Sequence, residues 1–120
     1  MTTPSARSPL PTGPGAAALV ATGLGLLALS LSHVLSEASA GVKNALQALG
    51  NLWIPGAPGI GPYSGKETVG LLVWLVSWAL LHAALRKRDV SLVAAGVWTF
   101  ALVGLATTLL WPPIVHLLAT

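Results

Sequence analysis

The sequence predicts an all-α integral membrane protein: three transmembrane helices, with a short interfacial amphipathic helix and a Pro/Gly-rich loop between the first and second. Two observations carry that prediction. Residues 15–35, 68–85 and 90–111 contain no Asp, Glu, Lys or Arg, and each run is close to the roughly 20 apolar residues that span about 30 Å of hydrocarbon as a helix. A mean hydropathy of +0.79 with 8% charged residues lies far from soluble domains, where about a quarter of residues are charged.

At 120 residues, three spans and their connections use almost the whole chain. One membrane domain over residues 15–120 is therefore expected, with no room for a soluble catalytic domain. A net charge of +3 raises the question of nucleic acid, but the cations are few and dispersed, at Arg7, Lys43, Lys66, Arg86, Lys87 and Arg88. They form no basic face with a groove-reading or stacking element, so nucleic acid is not an expected partner. The absence of cysteine removes disulfides, thiolate metal sites and thiol catalysis together. Abundant Ala, Leu, Gly and Pro fit a GC-rich bacterial genome.

Residues 1–14 carry four prolines among Ser and Thr and read as a disordered tail, because they have too little apolar area to bury. The first span follows over residues 15–35. Its Ala17, Ala21 and Gly25 recur every four residues, a small-residue stripe that lets another helix come close in lipid. Ala38-Ser39-Ala40 resembles a signal-peptidase site, and cleavage after Ala40 would leave a two-helix hairpin. The apolar run is longer than a signal core and its flank carries only Arg7, so a retained helix is the expectation.

The connection over residues 36–67 has two parts. Val42, Ala45, Leu46, Leu49 and Trp53 share one helical face opposite Lys43, Asn44 and Gln47, as in a helix lying in the membrane surface with its tryptophan at headgroup depth. Residues 54–65 hold too many Pro and Gly for regular structure and read as an irregular loop. Trp53, Ile54, Ile60 and Tyr63 would be costly to leave in water, so this loop is expected to dock on a partner or on headgroups.

Glu67 precedes the second span and Arg86, Lys87 and Arg88 follow it, an arrangement that suits the helix dipole. Only residues 86–89 separate spans two and three, so a tight antiparallel hairpin is expected. The third span stops at Pro112-Pro113, and residues 112–120 read as an apolar tail along the surface. Positive charge in very short loops marks the cytoplasmic side, so Arg86, Lys87 and Arg88 predict a cytoplasmic second turn. The N-terminus is then cytoplasmic and the C-terminus outside, in a bacterial inner membrane.

No charged side chain falls within the three spans, which argues against a proton-coupled transporter or pump. Neither broken spans nor paired half-helices appear. The histidines are the remaining chemical candidates. His82 shares a helical face with Trp74 and Trp78, a stripe able to flank a haem, chlorin or quinone head, or simply to reach the headgroups. His33 and His116 are expected at one membrane face, where two imidazoles can hold a b-type haem or act as ordinary interfacial residues. No catalytic motif is present, and Ser64-Gly65-Lys66 lacks the strand and spaced glycines of a phosphate loop.

The expected function is therefore that of a non-enzymatic accessory subunit packed on other integral membrane subunits, in a respiratory or photosynthetic electron-transfer complex. The alternatives are a haem- or pigment-binding subunit using His82 or the His33/His116 pair, and a small homo-oligomeric channel or transporter.

Overall fold

Proline opens helices well because the amide it lacks would be unpaired in the first turn anyway. With Pro14 in that place, helix α1 runs Gly13–Ala38. The computed structural model describes residues 10–56, 59 and 61–119. These form four further helices: α2 Ala40–Asn51, α3 Tyr63–Leu85, α4 Leu92–Leu110 and α5 Pro112–Ala119. The expected N-terminal tail through residue 9, including Arg7, and the docking residue Ile60 lie outside the described residues.

Helices α1, α3 and α4 are each long and apolar enough to cross a membrane. At 1.5 Å per residue, the 26 residues of α1 extend about 39 Å. It is longer than residues 15–35 at both ends. Ser39 terminates it in an extended conformation, and its Oγ accepts a hydrogen bond from the Val42 amide at 3.3 Å, capping α2. Ser91 caps α4 in the same way through the Ala94 amide at 3.0 Å. Both are side-chain oxygens satisfying amides that a helix start leaves unpaired.

The arrangement of the spans departs from the expected hairpin. Helices α3 and α4 nowhere approach within 8 Å, Cα to Cα, and both pack against α1. Helix α3 runs antiparallel to α1, with Leu85 beside Gly13 and Trp74 beside Gly25. Helix α4 runs parallel to α1, with Leu102 beside Gly23 and Ala106 beside Ser30. The physical reason lies at the short turn. The Gly13 amide donates to the Arg88 carbonyl at 2.9 Å, and Thr12 Oγ1 both donates to the Val90 carbonyl at 2.6 Å and accepts from the Val90 amide at 2.7 Å. The start of α1 is thus tied into the turn that joins α3 to α4 and holds them apart.

Packing is by small residues inside and large ones outside. Ala17 and Ala21 are fully buried, as is Ser30, whereas Phe100 is 82% and Trp98 66% exposed. Lipid tails are as apolar as leucine, so helices in a bilayer associate through close contact and hydrogen bonds rather than by hiding large side chains. The burial pattern has that character. Within the best apolar window, 28% of α1 is buried but only 11% of α3 and of α4, which identifies α1 as the central element.

Three further expectations change. Trp53 does not extend the face of α2, because the helix ends at Asn51. The segment expected to be irregular through residue 65 is already helical from Tyr63, two residues after the positive-φ Gly61 (φ 65°). The C-terminal tail is helical over Pro112–Ala119, where paired prolines start a new helix after Trp111 turns the chain into an extended conformation.

Candidate polar site at the end of the bundle

The early start of α3 has a chemical consequence. Placing Tyr63 to Glu67 on the helix turns Lys66 inward, where the residue is only 6% exposed. Its neighbours on α3 allow this, because Gly65 sits directly against the Leu46 backbone and Ser64 against Gly50. Helix α2 therefore lies across the first turn of α3 with almost no side-chain spacing. Thr68 Oγ1 donates to the Ser64 carbonyl at 2.7 Å and accepts from Trp53 Nε1 at 3.0 Å, which pins the tryptophan over this junction.

Lys66 Nζ lies 2.9 Å from His33 Nδ1. The sequence places Lys66 in the connection before the second span and predicts no role for it. Lys66 lies on the first turn of α3, ahead of the charge-free run over residues 68–85. The signal that could have found it is the run Pro62-Tyr63-Ser64-Gly65: a proline at a helix start followed by small residues that permit close approach.

An ammonium has three donors and no acceptor, so a charged Lys66 pairs with the His33 tautomer that accepts at Nδ1 and carries its proton on Nε2. His33 is half-buried, and Ser36 Oγ donates to its backbone carbonyl at 2.8 Å. Glu37 follows one turn later on α1. His33 and Glu37 line an open pocket of about 430 Å³ whose other wall comes from the end of α4 and from α5, through Leu110, Pro112, Val115 and His116. The structure thus brings His33 and His116, far apart in sequence, to one pocket. Among the described residues, no three His, Asp or Glu side chains come together to hold a metal, and no buried side-chain N or O atom lacks a hydrogen-bond partner.

The second candidate stripe lies elsewhere. Trp74 and Trp78 stack on one another with centroids 5.9 Å apart and planes 14° from parallel. His82 is exposed, one turn before Arg86, whose amide donates to its carbonyl at 2.8 Å. The stripe is thus real as a ring stack, and its imidazole stands outside it toward the basic turn. Arg86, Lys87 and Arg88 are all exposed.

The residues expected to meet partners divide in two. Trp53 and Tyr63 are more than half exposed and Ile54 is half-buried, so that surface is open. Ala17, Ala21 and Gly25 are buried within the chain, and a methyl group added at Gly25 would lie 2.7 Å from Trp74 Cβ. The small-residue stripe is therefore packed against this chain's own helices. No protein-family model matches the chain, and neither does any curated protein or solved structure.

Proposed function

We propose that this chain is a small, non-enzymatic accessory subunit of a larger assembly in a bacterial cytoplasmic membrane. The observation that carries this reading is the open layer of helices: α3 and α4 both rest on α1 and not on each other. That layout leaves one side of α1 exposed at Leu19, Leu26, Leu31 and Leu35, and a groove of about 340 Å³ beside α3, lined by Thr22, Gly25, Leu26, Leu29, Gly70 and Trp74 among others. Exposed helix faces and grooves of this kind are where further helices can pack in a bilayer. Helix α2 then lies as an amphipathic element in the outer membrane surface, with the loop from Trp53 to Tyr63 covering the outer face of a neighbouring subunit. The basic turn at Arg86, Lys87 and Arg88 faces the cytoplasm. An energy-transducing or electron-transfer complex is the kind of assembly that we infer.

The rival cofactor reading is weakened at one of its two sites. A histidine that ligates iron ordinarily donates its second ring nitrogen to an acceptor, which raises its basicity. At His33 that second nitrogen faces an ammonium, which does the opposite. Haem or metal ligation by His33 with His116 is therefore disfavoured, and His82 remains the imidazole to test for pigment or haem.

The experiment is extraction in mild detergent followed by identification of co-purifying proteins, with an absorption spectrum of the same sample. Companion subunits in fixed ratio with a colourless chain are expected, and Leu26→Trp, which fills the groove, should release them. A Soret or chlorin band lost in His82→Ala would replace this reading with the cofactor one. Ion flux through liposomes holding the isolated chain would replace it with a channel.

A further inference from the structure

Two basic side chains meet where α3 starts beside the end of α1. Lys66 Nζ and His33 Nδ1 stand 2.9 Å apart, which is a hydrogen bond only while one atom carries a proton and the other a free lone pair. With one positive charge on the pair, a single basic lone pair remains, and it is the one inside the hydrogen bond. If an ammonium donates to Nδ1, a second proton must land on Nδ1; if an imidazolium donates to a neutral amine, it must land on Nζ. In either arrangement the second proton and the contact exclude one another, and the two cations then repel.

The two partners differ in what else they can reach. Lys66 is only 6% exposed, and His33 is the one hydrogen-bond partner of its Nζ among the described residues. Glu37, exposed, stands four residues after His33 on α1, a spacing at which opposite charges pair on a helix. Around them, Lys43 of α2 acts on Lys66 as a further positive charge, and His116 of α5 shares the pocket of His33. On α3, Tyr63 is more than half exposed and Glu67 lines the separate groove with Leu29 and Trp74. Helix α4 carries no titratable side chain.

We propose that the contact of Lys66 with His33 is an acid-released latch between α1 and α3. With one positive charge, the pair holds the first turn of α3 against α1. A second proton, taken from water, breaks the contact, turns the imidazolium toward Glu37 and strands the ammonium. A buried, unpaired charge is costly, so Lys66 leaves the interior and the first turn of α3 loosens with it. Helix α2 follows, because Gly65 and Ser64 are packed against Leu46 and Gly50. The rest of the fold stays, since the ties of Gly13 to Arg88 and of Ser30 to Ala106 use amide, carbonyl and hydroxyl groups that do not titrate here. The latch needs no partner subunit and no cofactor.

The test is amide hydrogen exchange of the full chain in detergent micelles from about pH 8 to about pH 4, across the roughly 6.5 of an ordinary imidazole. Each rate is divided by that of an unstructured peptide at the same pH. Protection at residues 66–69 should fall about tenfold on acidification, the worth of a hydrogen bond to a charged group, while protection at residues 98–106 of α4 holds. His33→Asn, whose amide oxygen can accept from Nζ at every pH, should stay protected throughout. Lys66→Met removes the second cation and should abolish the step, whereas Glu37→Gln and His116→Gln should keep it. The proposal fails if residues 66–69 show no acid step, or if α4 loses protection in the same step. It also fails if the step survives in folded His33→Asn or folded Lys66→Met, or if it disappears in Glu37→Gln or His116→Gln.

Discussion

Ser30 Oγ on α1 lies 3.0 Å from the carbonyl oxygen of Ala106 on α4, and 2.9 Å from the carbonyl of Leu26 one turn back. Its single proton is shared between its own helix and the next. The residue is fully buried, so this hydroxyl is a polar link between two apolar helices where no water competes. Ser30→Ala should destabilise the chain by about 1 kcal/mol, as interhelical hydrogen bonds in membranes commonly do. Unfolding in mixed detergent micelles measures this. An unchanged midpoint would mean that the hydroxyl bonds only to Leu26.

The junction of α2 and α3 rests on a glycine. A methyl group at Gly65 would collide with the backbone carbonyl of Leu46, and backbone cannot swing aside as a side chain does. Gly65→Ala should cost about 1–3 kcal/mol, the usual range for overpacking, and should free α2 in hydrogen exchange. Gly96, on α4, has nothing within 4 Å of where a Cβ would stand. There Gly96→Ala should gain about 1 kcal/mol from helix propensity alone. The opposite signs of the two changes separate packing from propensity.

Trp53 Nε1 donates to Thr68 Oγ1 at 3.0 Å although its ring is 56% exposed. Trp53→Phe keeps an aromatic ring, though a smaller one, and removes the donor, and should cost about 1 kcal/mol. Trp53→Phe should also speed exchange of the amides near Tyr63 while leaving those of α4 unchanged. Equal exchange at both ends of the chain would show that the hydrogen bond holds nothing in place.

Because the chain has no cysteine, sidedness can be read from single introduced thiols. Leu10→Cys and Lys87→Cys should label from one side of the membrane, since Leu10 precedes Thr12, which bonds to the turn at Asp89 and Val90. Lys43→Cys and Leu118→Cys should label from the other. Positive charge at residues 86–88 predicts that the first pair faces the cytoplasm. Labelling of Lys87→Cys from outside intact cells would reverse the orientation.

Much of this architecture was legible in the residues. Charge-free runs of span length located α1, α3 and α4, because no other solvent tolerates so much apolar surface. The stripe of Ala17, Ala21 and Gly25 announced a close helix contact, and it is buried. Which helix would fill it was not legible, since small residues state how near a neighbour can come and not its identity. The short link over residues 86–89 suggested that α3 and α4 touch. The tie between Gly13 and Arg88 depends on backbone atoms, which leave no side-chain pattern to read. The candidate site was hidden for a similar reason: Pro62 and Gly65 disguised the first turn of α3, and Lys66 passed for a loop residue. The two imidazoles His33 and His116 share one pocket, as their expected place near one end of the spans suggests, but the contact of Lys66 with His33 was not legible.

The central position of α1 carries an implication for biogenesis. Of the three long helices α1 is synthesised before the other two, so the template surface on which both rest exists before either flanking segment. The second segment can dock as soon as it emerges, whereas the third must pass beyond the template's near end to reach the far flank. Thr12 and Gly13 then bond to the turn that precedes that third segment. A chain deprived of its leading helix would leave the other two without a common support.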